Sequence, residues 1–298
     1  MLEAAGRSGN AQALVELALW YLGGRPVARD LARTRALFGA AADLGHERAR
    51  MIHLSLLANG TGGERDWPGA LELLKAAAAA GDSDAERQLE LLGRMALDEL
   101  GDPESTPPPR ALSDQPEVKL FPALLTDAEC RYLVDQATPL FQPAIVINSV
   151  TGEAMPHPVR TSENAGFPWM SETPAIHAIN RRMAAASGTK AEWGEPLQIL
   201  RYRPGQQYKP HFDGLAAEPN QRILTMLVYL NDGFSGGETL FVRTGLKVVG
   251  KRGDALLFRN ADDQGNPDPI SEHAGLPVTA GEKLIASRWI RQARFGPI

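Results

Sequence analysis

Prolines are distributed so unevenly that they divide the chain before any other feature is read. Of twenty-two prolines, only Pro26 and Pro68 fall in the first hundred residues, leaving twenty for the remainder. Proline breaks helix interiors and central strand ladders, so long helices are open to the first third and closed to the rest. At 298 residues the chain is long enough for about two domains, each with a core of its own. The stretch 98–116 carries Pro107, Pro108 and Pro109 in succession, which favours an extended polyproline segment. It is expected to link a domain over 1–97 to one over 117–298.

The first third repeats itself. Gly9, Gly45 and Gly81 are spaced by one period of 36, as are Ala13, Ala49 and Ala85, and Ala5, Ala41 and Ala77. Gly24 answers Gly60, Asp30 answers Asp66 and Ala40 answers Ala76. A fixed period of this length predicts stacked helix–turn–helix units. Small alanines would sit where helices cross, glycines at turns, and Asp30 and Asp66 as N-caps. The runs Y-L-G-G and D-L-A-R-T-R-A-L-F-G-A-A resemble the Sel-one-like subclass of tetratricopeptide-type repeats. The resemblance implies a solenoid that docks a protein; the alternative is an array that only packs on its neighbour. His46 and His53, lone histidines on these helices, are expected to be structural.

Several function classes fall away. The first hundred residues hold 11 basic and 14 acidic groups within a whole-chain charge of −5. With no basic block, nucleic acid is not an expected partner. Apolar runs near the start are a few residues long, so neither a secretory leader nor a membrane span is expected. One cysteine, Cys130, cannot make an internal disulfide, which fits a reducing cytoplasmic location. Oligomeric state is left open.

Beyond Val118 the pattern changes. Two short helices are expected near Asp127–Gln136 and Thr173–Ala185. After Trp193 come β-forming runs separated by turn clusters: L-Q-I-L-R-Y, R-I-L-T-M-L-V-Y-L, E-T-L-F-V, L-K-V-V, A-L-L-F and L-I-A-S-R-W-I. Short strands at this spacing predict a sandwich or jelly roll. Six histidines make the search for a metal site exhaustive. His211 and Asp213 form a His-x-Asp pair, and residues two apart on a strand share a face. His273 is the best candidate for a third ligand. Two histidines and a carboxylate leave three positions open on iron(II). His157 and His177 are expected to be structural or at the surface. Lys283 opens the last strand, and an ammonium turned inward calls for an anionic ligand. The hydroxyls of Tyr202 and Thr239 could bind the same anion.

Three segments carry a closer resemblance: L-Q-I-L-R-Y-R-P-G-Q-Q-Y-K-P-H-F-D, Q-R-I-L-T-M-L-V-Y-L-N-D-G-F-S-G-G-E-T-L-F and S-E-H-A-G-L-P-V-T-A-G-E-K-L-I-A-S-R-W-I-R. Together they are similar to the prolyl 4-hydroxylase family of iron(II)/2-oxoglutarate oxygenases over about residues 117–298. The resemblance implies a double-stranded β-helix (jelly-roll) fold, hence an α+β multidomain chain with a helical solenoid in front. It implies iron(II) on His211, Asp213 and His273, with 2-oxoglutarate on Lys283, Tyr202 and Thr239. O2 would be the oxidant and ascorbate the reductant. It also places Tyr208, Arg222 and Trp289 near the substrate, and V-R-T-S (Val159 to Ser162) matches a substrate loop that points to Arg160.

The activity implied is hydroxylation of an unactivated C–H, first of all in a prolyl residue of a peptide or protein. A free amino acid or small metabolite is the second substrate class, and a catalytically silent docking scaffold a third reading. The chain departs from the collagen-modifying members in lacking their disulfide cysteines and secretory route. Cytosolic, bacterial-type relatives are the nearer comparison.

Overall fold

A computed structural model describes residues 6, 9–147, 154–156, 159–216 and 218–296. The chain forms two compact units. The first takes Met1–Glu104, Phe167–Arg181 and Gly296–Ile298, and the second takes Ser105–Gly166 and Arg182–Phe295.

Five helices run through the first unit: α1 (Ala11–Gly23), α2 (Leu31–Asp43), α3 (Glu47–Asn59), α4 (Trp67–Ala79) and α5 (Ser83–Leu92). Each begins where a side chain accepts an otherwise unpaired backbone N–H: Asn10 for Ala13, Asp30 for Arg33, His46 for Ala49, Asp66 for Gly69 and Asp82 for Ala85. The caps keep the sequence period, Asn10, His46 and Asp82 in one series and Asp30 and Asp66 in the other. Gly24 and Gly60 end α1 and α3 with φ of 70° and 74°, a left-handed turn that suits glycine. Of the period-marked alanines, Ala13, Ala41, Ala49, Ala77 and Ala85 are buried, so the helices approach closely there, whereas the Ala40 and Ala76 pair is exposed and marks an outer face rather than a crossing; Ala5 lies outside the described residues. His53 hydrogen-bonds the Arg35 carbonyl through Nδ1 at 3.1 Å.

The stretch 98–116 has no regular structure from 105 to 109, and its last part is strand β1 (Arg110–Asp114). β1 pairs with β2 (Glu117–Phe121), an element the proline-rich composition hid. Two helices follow later in the chain, α6 (Asp127–Ala137) and α7 (Pro174–Ser187), close to the expected bounds. The remaining strands are β3 (Gln142–Pro143), β4 (Ile145–Ile147), β5 (Ala154–Pro156), β6 (Glu163–Phe167), β7 (Leu197–Tyr202), β8 (Tyr208–His211), β9 (Arg222–Tyr229), β10 (Ser235–Gly236), β11 (Thr239–Phe241), β12 (Lys247–Val248), β13 (Ala255–Arg259), β14 (His273–Gly275), β15 (Val278–Ala280) and β16 (Lys283–Arg291).

Eight of these strands form an antiparallel sheet in the order β1-β2-β13-β9-β16-β7-β6-β3, and a four-stranded sheet runs β12-β11-β14-β8. Tyr229, Phe258 and Ile285 of the large sheet pack with Phe241 and Val248 of the small one in a single core. The two sheets therefore face each other. β16 is buried along its whole length, and alternation sends Lys283, Ile285, Ser287 and Trp289 to the side that meets the small sheet. No helix among the described residues is long and apolar enough to cross a membrane.

Candidate metal centre and its cavity

β8 and β14 are neighbours in the small sheet, and their register sets His211 opposite His273. The ring centroids are 4.3 Å apart. Each imidazole is held through Nδ1 by a main-chain carbonyl two residues upstream, Lys209 O at 2.8 Å and Ser271 O at 3.0 Å. A carbonyl only accepts, so Nδ1 carries the proton and Nε2 keeps its lone pair. Both Nε2 atoms face Asp213, at 3.7 Å to Oδ1 from His211 and 3.5 Å to Oδ2 from His273. Ligand atoms of all three lie within 4.8 Å of one another. Among the described residues they are the one group of three or more His, Cys, Asp or Glu so disposed.

One expectation is corrected. His211 and Asp213 do not share a strand: β8 stops at His211, and Asp213 lies in the bend beyond it. The pleat therefore does not aim the carboxylate. A hydrogen bond from β9 does, with Thr225 Oγ1 donating to Asp213 Oδ2 at 2.6 Å. Asn260 Nδ2 in turn donates to Thr225 Oγ1 at 2.8 Å.

Burial pushes His211 below the usual histidine range, and the charge His273 would carry adds to this. For Asp213, burial acts to raise the pKa. His273, His211, the Thr225 hydroxyl and the Trp289 indole N–H more than offset it, so the carboxylate titrates below its ordinary value. The indole acts from outside hydrogen-bond geometry, since Nε1 is buried with no bonded partner. Two imidazoles that turn Nε2 to one carboxylate are the donor set that suits iron(II) with open positions.

The three residues line a pocket with Tyr202, Tyr208, Thr239, Lys283 and Trp289 also in its walls. Lys283 opens β16 opposite Tyr202 on β7. It is only 3% exposed, between the rings of Tyr202, Tyr229 and Phe234 at 5.6–6.0 Å. Its Nζ donates to the Gly237 carbonyl at 2.6 Å and, among the described residues, forms no ion pair. Burial pushes its pKa down to about 8, against a weaker upward pull from Glu238. A desolvated ammonium without an anion fits the far carboxylate of a small diacid. Burial raises the Tyr202 pKa strongly, so its hydroxyl stays protonated and can donate. Thr239 is buried on β11 between Val248 and Gly275.

At the other end, Tyr208 stacks on His211 with centroids 3.4 Å apart and planes at 14°. Arg160 bridges to Tyr208, its guanidinium 5.6 Å from the ring centroid. Arg222 covers the Trp289 ring at 4.0 Å and binds both oxygens of Glu195, at 2.6 and 2.9 Å. Neither arginine is among the cavity-lining residues. Glu195 also accepts from Arg291 Nε at 2.6 Å. His177 pairs with Glu172 at 3.0 Å in a buried setting of the first unit, and His157 lies outside the described residues.

Sequence reasoning missed Thr225, Asn260 and Glu195. Thr225 had a signal, as the one small polar side chain within the apolar run R-I-L-T-M-L-V-Y-L. Glu195 had none, because it lies in an irregular stretch and its partners Arg222 and Arg291 are distant in the chain.

Comparison with known proteins agrees with this chemistry. The family model described as the 2OG-Fe(II) oxygenase superfamily matches residues 197–291. Prolyl 4-hydroxylase 1 of Arabidopsis thaliana is 37% identical over 203 residues, which span 62% of this chain and 72% of that protein. Prolyl 4-hydroxylase 2 of the same plant is 33% identical over 215 residues, 63% of this chain and 72% of that one. The solved structure of a viral collagen prolyl hydroxylase from Paramecium Bursaria Chlorella virus-1, in its 2OG complex, is 30% identical. It covers 59% of this chain and 96% of its own, with a TM-score of 0.48.

Proposed function

Because the chain belongs to the prolyl 4-hydroxylase family of iron(II)- and 2-oxoglutarate-dependent oxygenases, we propose that it hydroxylates a prolyl residue in a peptide or protein. The observation that carries the reading is one cavity holding both His211, Asp213 and His273 and the buried, anion-free Lys283. When bound, iron(II) with 2-oxoglutarate and O2 supplies the oxidant for the C–H bond, and 2-oxoglutarate leaves as succinate and carbon dioxide.

The residues of the chain bind, orient and shield. His211, Asp213 and His273 hold the metal and leave part of its coordination sphere open. Lys283 anchors the far carboxylate of 2-oxoglutarate, with Tyr202 and Thr239 donating to the same group. Rings around the ammonium exclude water and strengthen that contact. Tyr208 and Trp289 form the substrate-facing walls, backed by Arg160 and Arg222. Ascorbate is assigned as the reductant that restores the metal after uncoupled turnover.

The same reading treats the facing sheets as a double-stranded β-helix over 117–298 and 1–97 as a Sel-one-like solenoid; of the expected linker 98–116, residues 110–114 join the large sheet as β1. Caps recurring every 36 residues support the solenoid, and we assign it the docking of a protein client. A single cysteine supports a reducing, cytoplasmic setting.

The test is incubation with iron(II) and 2-oxoglutarate, with either proline-rich peptides or free amino acids. Peptide-stimulated succinate release with a product heavier by one oxygen atom is expected. Stimulation by free amino acids alone would move the substrate to that class, and no succinate under any condition would leave only a docking role.

A further inference from the structure

The strongest unassigned feature is a buried polar chain behind the metal ligands. Asn260 Nδ2 donates to Thr225 Oγ1 at 2.8 Å, and Thr225 Oγ1 donates to Asp213 Oδ2 at 2.6 Å. All three residues are at most 4% exposed. We propose that Asn260 is a positioning residue, which fixes the direction of the Thr225 hydroxyl so that Asp213 presents Oδ1 to the metal. The inference rests on the metal-centre reading above.

The direction follows from hydrogen counting. A hydroxyl has one proton and can donate once. Asp213 is an ionised carboxylate that can only accept, so at 2.6 Å the proton must lie on that side. Asn260 must then approach Thr225 with its amide N–H2; its carbonyl would set two acceptors against one proton. The arrangement leaves Asn260 Oδ1 buried without a partner. An amide kept at a fully buried position with its oxygen unsatisfied is not explained by packing. It is explained if the Nδ2 contact is the useful one. Asn260 is tethered for this task at both backbone groups, its N–H to Ile223 O and its carbonyl to Asp268 N–H, each at 2.8 Å. With Oδ2 held by Thr225, Oδ1 is the oxygen left to a metal. Because β8 ends before Asp213, no ladder bond does this work instead.

Cobalt(II) titration of the full chain, followed by visible absorption, tests the relay without turnover. Thr225→Val removes the hydroxyl at constant shape and is expected to weaken Co(II) binding about 10- to 100-fold, as for other partners of metal ligands. Thr225→Ser restores the hydroxyl and is expected to return binding to near the wild-type value. Asn260→Leu weakens binding in the same direction, and the Thr225→Val/Asn260→Leu pair is no weaker than Thr225→Val alone, because Asn260 acts only through Thr225. If Thr225→Val does not fold, Thr225→Ala reads the same loss. Wild-type affinity in Thr225→Val, failure of Thr225→Ser to restore it, or additive losses in the double variant would overturn the relay. Failure of the wild-type chain to bind Co(II) would instead overturn the metal centre, and the relay with it.

Discussion

His211 and His273 stand directly opposite each other on β8 and β14, and each commits Nδ1 to the carbonyl two residues before it. Neither ring can turn without breaking that bond, so two strands hold the two Nε2 atoms at one point before any ligand arrives. Preorganisation of this kind lets short, marginal strands carry a precise site.

Removing a member of this group should separate metal binding from co-substrate binding. His211→Ala and Asp213→Ala are expected to lower metal binding and succinate release to background. Lys283→Ala should keep the metal and raise the KM for 2-oxoglutarate roughly 10- to 100-fold, the worth of one charge-assisted hydrogen bond. Metal titration and succinate release at varied 2-oxoglutarate check both.

Co-substrate use should depend on pH through Lys283. The buried ammonium is protonated below about 8 and loses its proton above that. kcat/KM for 2-oxoglutarate reports the free protein, so it is expected to be flat on the acid side of about pH 8 and to fall as pH rises through it. Lys283→Arg stays charged and should remove the break. For stability the sign is the reverse. The desolvation cost of the ammonium is full below about 8 and is relieved as pH rises toward 10.5, the ordinary lysine value.

Glu195 is expected to be a stability residue. It holds Arg222 and Arg291, and its side chain is 9% exposed. Glu195→Ala takes the carboxylate from the half-buried Arg222 and leaves the buried Arg291 only the Glu218 carboxylate, at 3.6 Å, and should cost about 3 kcal/mol. Glu195→Gln should cost less, because it keeps acceptor oxygen and shape. Urea midpoints of the full chain measure both.

Helix caps in the first unit should behave as small, separable contributions. Asp30→Ala and Asp66→Ala each remove one N-cap hydrogen bond and are expected to cost about 1 kcal/mol. The two caps serve different helices and share no partner, so their losses should add in the double variant, read by far-UV circular dichroism during urea unfolding.

The parts legible in the sequence were those with a long period or a rare residue. Glycines and aspartates at 36-residue spacing marked the caps, and scarce histidines left few ways to build a metal site. Helices α6 and α7 showed because eleven and fourteen residues are enough for a helical pattern. Strands of two or three residues, such as β10, β12 and β14, are too short to display alternation. The bend carrying Asp213 was hidden for a different reason. Its carboxylate is aimed by Thr225, twelve residues away, and Thr225 by Asn260, thirty-five further on. Local patterns carry no trace of such pairs.

The spacing of the caps has an evolutionary consequence. Asn10, His46 and Asp82 begin helices one period apart, as do Asp30 and Asp66. Excising or duplicating any contiguous 36 residues within this stretch keeps every start signal in phase with every stop signal. The region can therefore lengthen or shorten by whole modules through recombination, while the residues that perform chemistry stay untouched. The length of the helical region and the residues that line the cavity are then inherited as independent traits.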